Sequence, residues 1–190
     1  NGQYAEPLAK GKIAIKKVSA NPEAIKGNPL YSLAGAQYEL RYNGKAVHTF
    51  TTKADGVSDD KAEVNAGDYE ICETKASLGH SINSKCKRVT VHVGDDVTVT
   101  LDGEYAEPML KAKLGLQKVS ADPDWVKANP AYYSLEGARY ALKQGETIVH
   151  TFVTKADGTT DKADINAGRY TLCETRSSKG HSINTQCRDI

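Results

Sequence analysis

Four cysteines are the residues whose type and spacing most clearly suggest chemistry in this chain of 190 residues. They form two pairs, Cys72 with Cys86 and Cys173 with Cys187, and 13 residues separate the members of each pair. Structural zinc sites usually place cysteines closer together, with histidines at set spacings nearby. We therefore predict a disulfide within each pair and no metal site, which implies an oxidising compartment. Closing such a loop of about 15 residues would stabilise the fold by roughly 3 kcal/mol in the chain-entropy treatment.

Two lysines and two glutamates occupy positions where an alternating strand would face the core. Lys17 alternates with isoleucines, and Glu73 has the same parity as a nearby tyrosine and isoleucine. Lys118 and Glu174 repeat both placements in the second half of the chain. The cysteines have the opposite parity, so we expect them on the solvent face of the sheet. A buried charge is rarely left unpaired, so these residues predict a Lys–Glu pair in the core of each half.

The whole chain is an internal duplication. The segment YAEPLAKGKIAIKKVSANPE of the first half matches YAEPMLKAKLGLQKVSADPD of the second at an offset of 101 residues, and the cysteines keep the same offset. A period of about a hundred residues indicates one domain per copy and a tandem array. We assign residues 1–101 to repeat 1 and residues 102–190 to repeat 2, with the Pro-containing stretches 1–10 and 102–111 as linkers.

Both ends of the chain interrupt this pattern. Asn1 is the counterpart of Asp102 and is expected to end the last strand of a preceding repeat, so we expect the chain to be a piece of a longer protein. Repeat 2 has no counterpart of Thr90–Leu101 among these residues, which leaves one predicted strand unfilled and one sheet edge open. The alternatives are a trimmed repeat and a strand supplied by the next repeat or by another chain.

Short alternating runs separated by turn residues dominate each copy. The Asn-Gly pair at Asn43–Gly44 predicts a tight hairpin, and the Asn-, Pro- and Gly-rich residues 19–33 predict a loop with one helical turn. Short strands with regular turns are typical of an all-β sandwich, here two in tandem. The strands predicted in repeat 1 cover residues 12–18, 34–42, 45–53, 61–65, 66–74, 85–93 and 97–101.

Composition argues against several classes of function. Lys and Arg number 25 against 24 Asp and Glu, a net charge of +1 that argues against a nucleic-acid or membrane-surface protein. No apolar run approaches the ~18 residues of a membrane span, and no nucleophile triad or phosphate loop is present. One histidine per element predicts polar packing rather than metal binding, and no cofactor is expected. These histidines are His48, His80, His150 and His181.

The order of several motifs resembles a known family. The runs KVSANP, YSLAGAQYEL, TTKADG and NAGDYEICETKASLGH follow one another in repeat 1 and return with variations in repeat 2. Their order and spacing resemble the Cna-B or SpaA-like repeats of Gram-positive surface adhesins and pilins. The resemblance covers essentially the whole chain and implies a prealbumin-like β-sandwich for each copy. It also implies an extracellular protein at the bacterial surface, cell-wall anchored in its full-length form, whose partners are neighbouring repeats and a host or cell-surface ligand.

The family often carries a spontaneous isopeptide bond, and the resemblance implies where it would form. Lys17 and Lys118 would be the nucleophiles, since burial favours the neutral amine. Glu73 and Glu174 would be proton shuttles, because burial also favours a protonated carboxyl group. The acceptor expected in repeat 1 is Asp102, which lies one residue out of phase and needs a β-bulge to turn inward. The alternative is a bare Lys–Glu ion pair in each repeat.

Together these features predict a structural protein, not an enzyme, whose only reaction is a single turnover of self-crosslinking. The tandem copies and the staples favour a stalk or spacer in an adhesin or pilus. A ligand-binding adhesin module is one alternative, with Trp125 and Tyr132–Tyr133 as exposed aromatic candidates. Assembly by strand complementation between repeats is the other alternative.

Overall fold

The computed structural model of the chain describes residues 3–190, which form two compact units. The division falls between Leu110 and Lys111, so unit 1 ends at Leu110 and unit 2 comprises Lys111–Ile190. Residues 102–110, which the repeat alignment assigns to repeat 2 as a linker, therefore pack with the first unit. The prediction made for Asn1 lies outside the described residues.

Unit 1 is built mainly of short strands, as the alternation of apolar and polar residues predicts. The Asn43–Gly44 turn adopts the positive φ angles (49° and 75°) that this pair favours in a tight hairpin. The regular elements are β1 (Lys10–Lys17), α1 (Pro22–Ile25), β2 (Gln37–Tyr42), β3 (Lys45–Thr51), β4 (Ala62–Asn65), β5 (Gly67–Lys75), β6 (Lys87–Val91), β7 (Asp96–Leu101) and a 3-10 turn at Gly103–Tyr105.

These strands form two sheets that enclose one apolar core, which confirms the predicted β-sandwich. One sheet has the order β4-β1-β7 and the other has the order β3-β2-β5-β6. Strands β1 and β7 are parallel, with Lys12–Lys17 in register with Asp96–Leu101, and the other pairs are antiparallel. Ile13 and Ile15 from the first sheet and Leu40 from the second are fully buried in this core. Side chains of both inner faces therefore hold the layers together.

Unit 2 repeats this architecture with fewer strands. Its sheets have the orders β10-β9-β12-β13 and β11-β8, and its core is centred on Leu142 and Phe152. No helix among residues 3–190 is long and apolar enough to cross a membrane. The regular elements are β8 (Lys111–Leu114), α2 (Pro123–Ala128), β9 (Arg139–Gln144), β10 (Thr147–Val153), β11 (Ala163–Asn166), β12 (Thr171–Arg176) and β13 (Arg188–Asp189).

Strand β8 is half as long as its counterpart β1, with four residues against eight. In unit 1 the second half of β1 pairs with β7. The described part of unit 2 contains no counterpart of β7, so residues 115–118 of unit 2 lack that partner strand. The sheet edge that the sequence predicts to be open is thus open beside Lys118.

Both predicted disulfides are present. Cys72 bonds to Cys86 and Cys173 bonds to Cys187, with Cα atoms 4.4 Å apart in each pair. The predicted exposure of Cys72 is wrong, because only 3% of this residue is accessible to solvent. The loop that follows β5 folds back over this end of the strand, since the Asn83 backbone amide donates to the neighbouring Glu73 and Cys86 is bonded to Cys72. The alternation of residues along a strand does not show that a loop covers its outer face.

Removing either disulfide should destabilise the unit that contains it. Paired replacement Cys72→Ala with Cys86→Ala is expected to cost roughly 3 kcal/mol, because the unfolded chain regains the freedom of the closed loop. The matched replacement of Cys173 and Cys187 should also release β13, which pairs with β12 through only two residue pairs. Urea unfolding followed by circular dichroism measures both effects. Superimposable curves with and without reductant would contradict the stapling role.

Candidate functional site

A buried ion pair joins the first strand of unit 1 to the last segment of that unit. Lys17, at the end of β1, and Glu107, just after the 3-10 turn, are both fully inaccessible to solvent, and the Lys17 ammonium contacts Glu107 Oε2. The backbone sets this contact, because the Glu107 amide donates to the Val18 carbonyl (3.0 Å) and the Glu107 carbonyl accepts from the Ala20 amide (2.9 Å). We call residues Glu104–Leu110 the closing segment.

The Glu107 carboxylate is held by donors from the loop that follows β5. The Ser77 amide donates to Oε1 and the Ser77 hydroxyl donates to Oε2, each at 2.9 Å. The Lys17 ammonium in turn donates to the Ser77 hydroxyl oxygen. His80 Nδ1 lies 3.4 Å from Glu107 Oε2, and His80 Nε2 lies 3.1 Å from the Ser19 hydroxyl. Burial lowers the pKa of His80 even though Glu107 opposes the shift, which favours a neutral imidazole at this site.

Glu73 is the second carboxyl group of the site, and its pKa is raised so that it keeps its proton at neutral pH. Burial and the neighbouring Glu107 carboxylate raise its pKa from 4.5 to about 8, although the Asn83 amide bonded to Oε2 (2.6 Å) opposes the change. Among the described residues, its Oε1 has no hydrogen-bond partner. Glu73 is therefore mostly protonated at neutral pH and has one oxygen free to interact with a reacting group.

Burial also lowers the pKa of Lys17, in spite of the opposing charges of Glu107 and Glu73. The site thus combines an amine shifted towards its neutral form, a carboxyl group in contact with it and a protonated acid beside them. This combination is what the condensation of an amine with a carboxyl group requires.

Asp102, the acceptor expected from the sequence, lies elsewhere. Its side chain is 67% exposed, and its Oδ1 lies 3.6 Å from the Lys87 ammonium. No bulge precedes it, because β7 stays in register with β1 up to the pair Leu101 with Lys17. Leu101 therefore takes the inward position and Asp102 points away. The structure brings Glu107 to the lysine instead of Asp102.

Sequence reasoning missed Glu107 because the run Tyr-Ala-Glu-Pro resembles a linker. A usable signal was available, since the same run occurs twice, at Tyr4–Pro7 and Tyr105–Pro108, with an unchanged glutamate. An unchanged charge inside a supposed linker suggests a packed position. That signal does not reveal which lysine the glutamate meets.

In unit 2 the predicted Lys–Glu pair forms directly. Lys118 Nζ lies 2.9 Å from Glu174 Oε1 and 3.3 Å from the Tyr140 hydroxyl, and the Asn184 amide donates to Glu174 Oε2 (2.6 Å). Burial disfavours both charges here, but the Asn184 amide and Lys118 outweigh it and lower the pKa of Glu174. At Lys118, Glu174 and Tyr140 together outweigh burial and raise the pKa. The described part of unit 2 thus holds an ordinary ion pair with no counterpart of Glu107.

Apart from the loop histidines His80 and His181, the remaining candidate residues take no part in either site. His48 and His150 pack edge-on against phenylalanine rings, with centroids 4.7 and 4.5 Å apart. No group of three or more potential metal ligands occurs among residues 3–190. Trp125 and Tyr132 are exposed, at 58% and 71%, whereas Tyr133 packs edge-on against His181.

The two shuttle candidates should titrate far apart. We expect the side-chain carboxyl of Glu73 to titrate near pH 8, because burial and Glu107 raise its pKa, and that of Glu174 below pH 4.5, because the Asn184 amide and Lys118 lower its pKa. Carbon-13 NMR of the carboxyl carbons measures both. Replacement Glu107→Gln should move the Glu73 midpoint down and leave Glu174 unchanged. Titration of both residues together near pH 4.5 would contradict the assignment.

The raised pKa of Glu73 makes the stability of unit 1 depend on pH. Folded unit 1 keeps a proton that the unfolded chain releases, so the Glu73 contribution to stability falls as pH rises from about 4.5 to about 8. Glu73→Gln should remove this slope. Glu174→Gln should instead remove a contribution that is lost on acidification, because the pKa of Glu174 is lowered on folding.

Comparison with known proteins agrees with this architecture. The sequence model of the SpaA prealbumin-like fold domain matches residues 11–105 and 125–190. Among solved structures, the Bacillus anthracis TIE protein matches 96% of this chain at 20% identity with a TM-score of 0.63, and this chain covers 31% of that protein. A search of curated protein sequences finds no match.

Two further solved structures are similar at lower scores. A C-terminal fragment of the pilus adhesin SpaC from Lactobacillus rhamnosus GG is 16% identical (TM-score 0.40, 95% of this chain and 81% of that one). BcpA, the major pilin subunit of Bacillus cereus, is 12% identical (TM-score 0.41, 95% and 94%). The matched residues and the pair of β-sandwiches agree, and the chain belongs to the family of SpaA prealbumin-like fold domains.

Proposed function

We propose that this chain is a pair of load-bearing stalk repeats from an extracellular adhesin or pilus-like protein of the bacterial cell surface. The observation that carries the proposal is the fully buried contact between Lys17 and Glu107, which ties the first strand of unit 1 to its closing segment. A disulfide staples the same unit, and disulfides persist in oxidising, extracytoplasmic compartments.

The strand order of unit 1 suits tension applied along the chain. The polypeptide enters at the start of β1 and leaves past the end of β7, and these strands are parallel neighbours over residues Lys12–Lys17 and Asp96–Leu101. Pulling the two ends apart slides the strands past each other, so all the hydrogen bonds between them bear the load together. Resistance to such forced unfolding depends on the unfolding rate rather than on equilibrium stability.

An isopeptide bond between Lys17 Nζ and Glu107 Cδ would make this link permanent. The ion pair first passes a proton from the ammonium to the carboxylate, since burial favours the neutral forms. The amine then attacks Cδ, while Glu73 gives its proton to the departing hydroxyl and takes one back from the nitrogen. One amide and one water molecule result. The reaction consumes its own groups, so it occurs once per unit and is not turnover catalysis.

Such a bond would change the path of force through unit 1. Tension would pass from Lys17 directly to Glu107 and on into residue 108, so that residues 18–106 would carry none of it. The sandwich could then neither unravel nor expose its core under load. Unit 2 differs, because Glu174 is the only carboxylate that pairs with Lys118 among the described residues, and none of them is placed there as Glu107 is in unit 1.

Intact mass under reducing conditions tests the bond. We expect a deficit of about 18 Da against the mass calculated from the sequence, because condensation expels one water molecule. Lys17→Arg or Glu107→Ala should abolish the deficit, and Glu73→Gln should slow or prevent it because glutamine cannot shuttle a proton.

The matched control is Lys118→Arg, which alters the corresponding lysine of unit 2 and should leave the deficit unchanged. Fragmentation should locate the link between the peptides that contain Lys17 and Glu107. A full calculated mass for the protein at neutral pH would show that the site holds an ion pair and no covalent bond.

Pulling experiments on single molecules test the stalk function itself. With the chain held by its two ends, unit 1 should show no extension from residues 18–106 before the tether breaks. The Glu107→Ala variant should release that length in one step. Extension of unit 1 in the unaltered protein at the low forces that unfold ordinary domains would argue against a load-bearing role, whatever the mass measurement gives.

A further inference from the structure

The tight turn that follows β5 presents several polar groups to the buried ion pair of unit 1. It runs from Ser77 to His80, and the His80 amide donates to the Ser77 carbonyl (3.1 Å). Gly79 has a φ angle of 77°, and a Cβ atom at this position would lie 2.4 Å from the Leu30 carbonyl oxygen. Glycine is the residue that fits such a position without strain. The packing of the turn therefore fixes Ser77 and His80 before any reaction begins.

Ser77 contacts both groups that the proposed isopeptide bond would join. Its hydroxyl accepts a hydrogen bond from the Lys17 ammonium and donates to Glu107 Oε2 at 2.9 Å. The hydroxyl hydrogen has a second acceptor, the Ser32 carbonyl at 2.5 Å, and can turn between the two. The Ser77 backbone amide donates to the other carboxylate oxygen, Glu107 Oε1, also at 2.9 Å. One residue thus binds both oxygens of the acceptor and the nitrogen of the nucleophile.

His80 determines the direction of the Ser77 hydroxyl hydrogen. His80 Nδ1 lies 3.0 Å from the Leu78 carbonyl, which can only accept, so the hydrogen-bond network assigns the ring hydrogen to Nδ1. His80 Nε2 then accepts from the Ser19 hydroxyl at 3.1 Å. The Nδ1 hydrogen also faces Ser77 Oγ at 3.1 Å. The hydroxyl hydrogen of Ser77 therefore points away from the imidazole ring and towards the carboxyl group of Glu107 or the Ser32 carbonyl.

We propose that Ser77 is a catalytic residue in the condensation of Lys17 with Glu107, a role that rests on the isopeptide bond of the proposed function. After the ammonium has given a proton to Oε2, the amine nitrogen adds to Cδ and the carbonyl electron pair moves to Oε1, where the Ser77 amide stabilises it. The pair then returns, the bond between Cδ and Oε2 breaks, and the Ser77 hydroxyl stabilises the departing oxygen. Glu73 gives that oxygen the proton that completes a water molecule and takes one from the nitrogen. Ser77 itself is unchanged at the end.

The hydrogen bonds from Ser77 become stronger as the reaction proceeds. The oxygens of a neutral carboxyl group carry only partial charges, whereas Oε1 carries a full negative charge once the nitrogen has added. Ser77 is 5% exposed, and Lys17 and Glu107 are fully inaccessible to solvent. Donors that are fixed in such a dry site stabilise the developing charge without having to reorganise. Because these interactions are stronger in the transition state than in the ground state, they raise the rate of bond formation and leave the final yield unchanged.

Refolding of the whole chain from urea measures that rate. The unfolded chain does not hold the two groups together, so the mass deficit should grow only after circular dichroism shows that folding is complete. Samples quenched in acid are weighed under reducing conditions. Ser77→Ala should slow the growth about 100-fold, the loss typical of removing one such donor, and should reach the same final deficit. Ser77→Thr keeps the hydroxyl and should react at nearly the rate of the unaltered chain. Ser178→Ala, the same change beside His181 in unit 2, should have no effect.

The outcomes separate the role of Ser77 from the existence of the bond. A Ser77→Ala chain that gains the deficit as fast as the unaltered chain would overturn the catalytic role and leave the bond standing. A deficit that stays fractional in this variant at long times would show that Ser77 only places Glu107, which also overturns the catalytic role. No deficit in the unaltered chain would overturn both the role and the bond.

A second variant decides the matter if Ser77→Ala does not fold. Ser77→Cys fills nearly the same space, but a thiol is a weak donor, so bond formation should again be slower. Peptide mapping first verifies that this variant has formed the two native disulfides. A rate equal to that of the unaltered chain would overturn the assignment of Ser77.

Discussion

The buried contact between Lys17 and Glu107 is the interaction on which the rest of unit 1 depends. An ammonium and a carboxylate taken fully out of water are tolerated only when each is paired and hydrogen-bonded. Here the pairing brings together the end of β1, the loop after β5 and the closing segment, because each supplies one partner. Loss of β1 or of the closing segment would leave an unpaired charge in the core, and loss of the loop would leave the Glu107 carboxylate without its Ser77 donors. Docking of the closing segment is thus a condition for a stable unit 1 and not an addition to it.

The two units provide a comparison within one molecule. Glu73 and Glu174 occupy equivalent strand positions, and each accepts a 2.6 Å hydrogen bond from the backbone amide of an equivalent asparagine. Their pKa values nevertheless move in opposite directions, upward for Glu73 and downward for Glu174. At Glu73, burial prevails together with Glu107, which engages Lys17 and adds negative charge beside Glu73, whereas at Glu174 the Asn184 amide and Lys118 outweigh burial. Unit 1 therefore has a protonated acid, an amine and a carboxylate together, where unit 2 has a plain ion pair.

The boundary between the structural units does not coincide with the boundary between the sequence repeats. The repeat alignment gives Tyr105–Pro108 to the linker of repeat 2, yet in the structure this run packs with unit 1 and completes it. Unit 1 is therefore closed by residues that the alignment assigns to the next repeat.

Much of the fold was predictable from local patterns, whereas the site was predictable only in part. Alternation placed the strands and put Lys17 on the inward face, and the cysteine spacing predicted both disulfides. Parity failed for Cys72, because a returning loop covers it. The buried partner of Lys17 was also missed, since Asp102 is near the right strand in sequence and Glu107 is near the right lysine in space.

The sequence by itself determined the β-sandwich class, the duplication, the disulfide pairing and the two lysines that face inward. Side-chain periodicity is visible over a few residues of sequence. The duplication and the cysteine spacing are visible because they recur at one fixed offset. Only the tertiary structure decided which carboxylate meets Lys17 and which glutamate keeps its proton. Burial and Coulomb forces act between groups that are close in space, and Lys17 and Glu107 are close only because the closing segment folds back over the first strand.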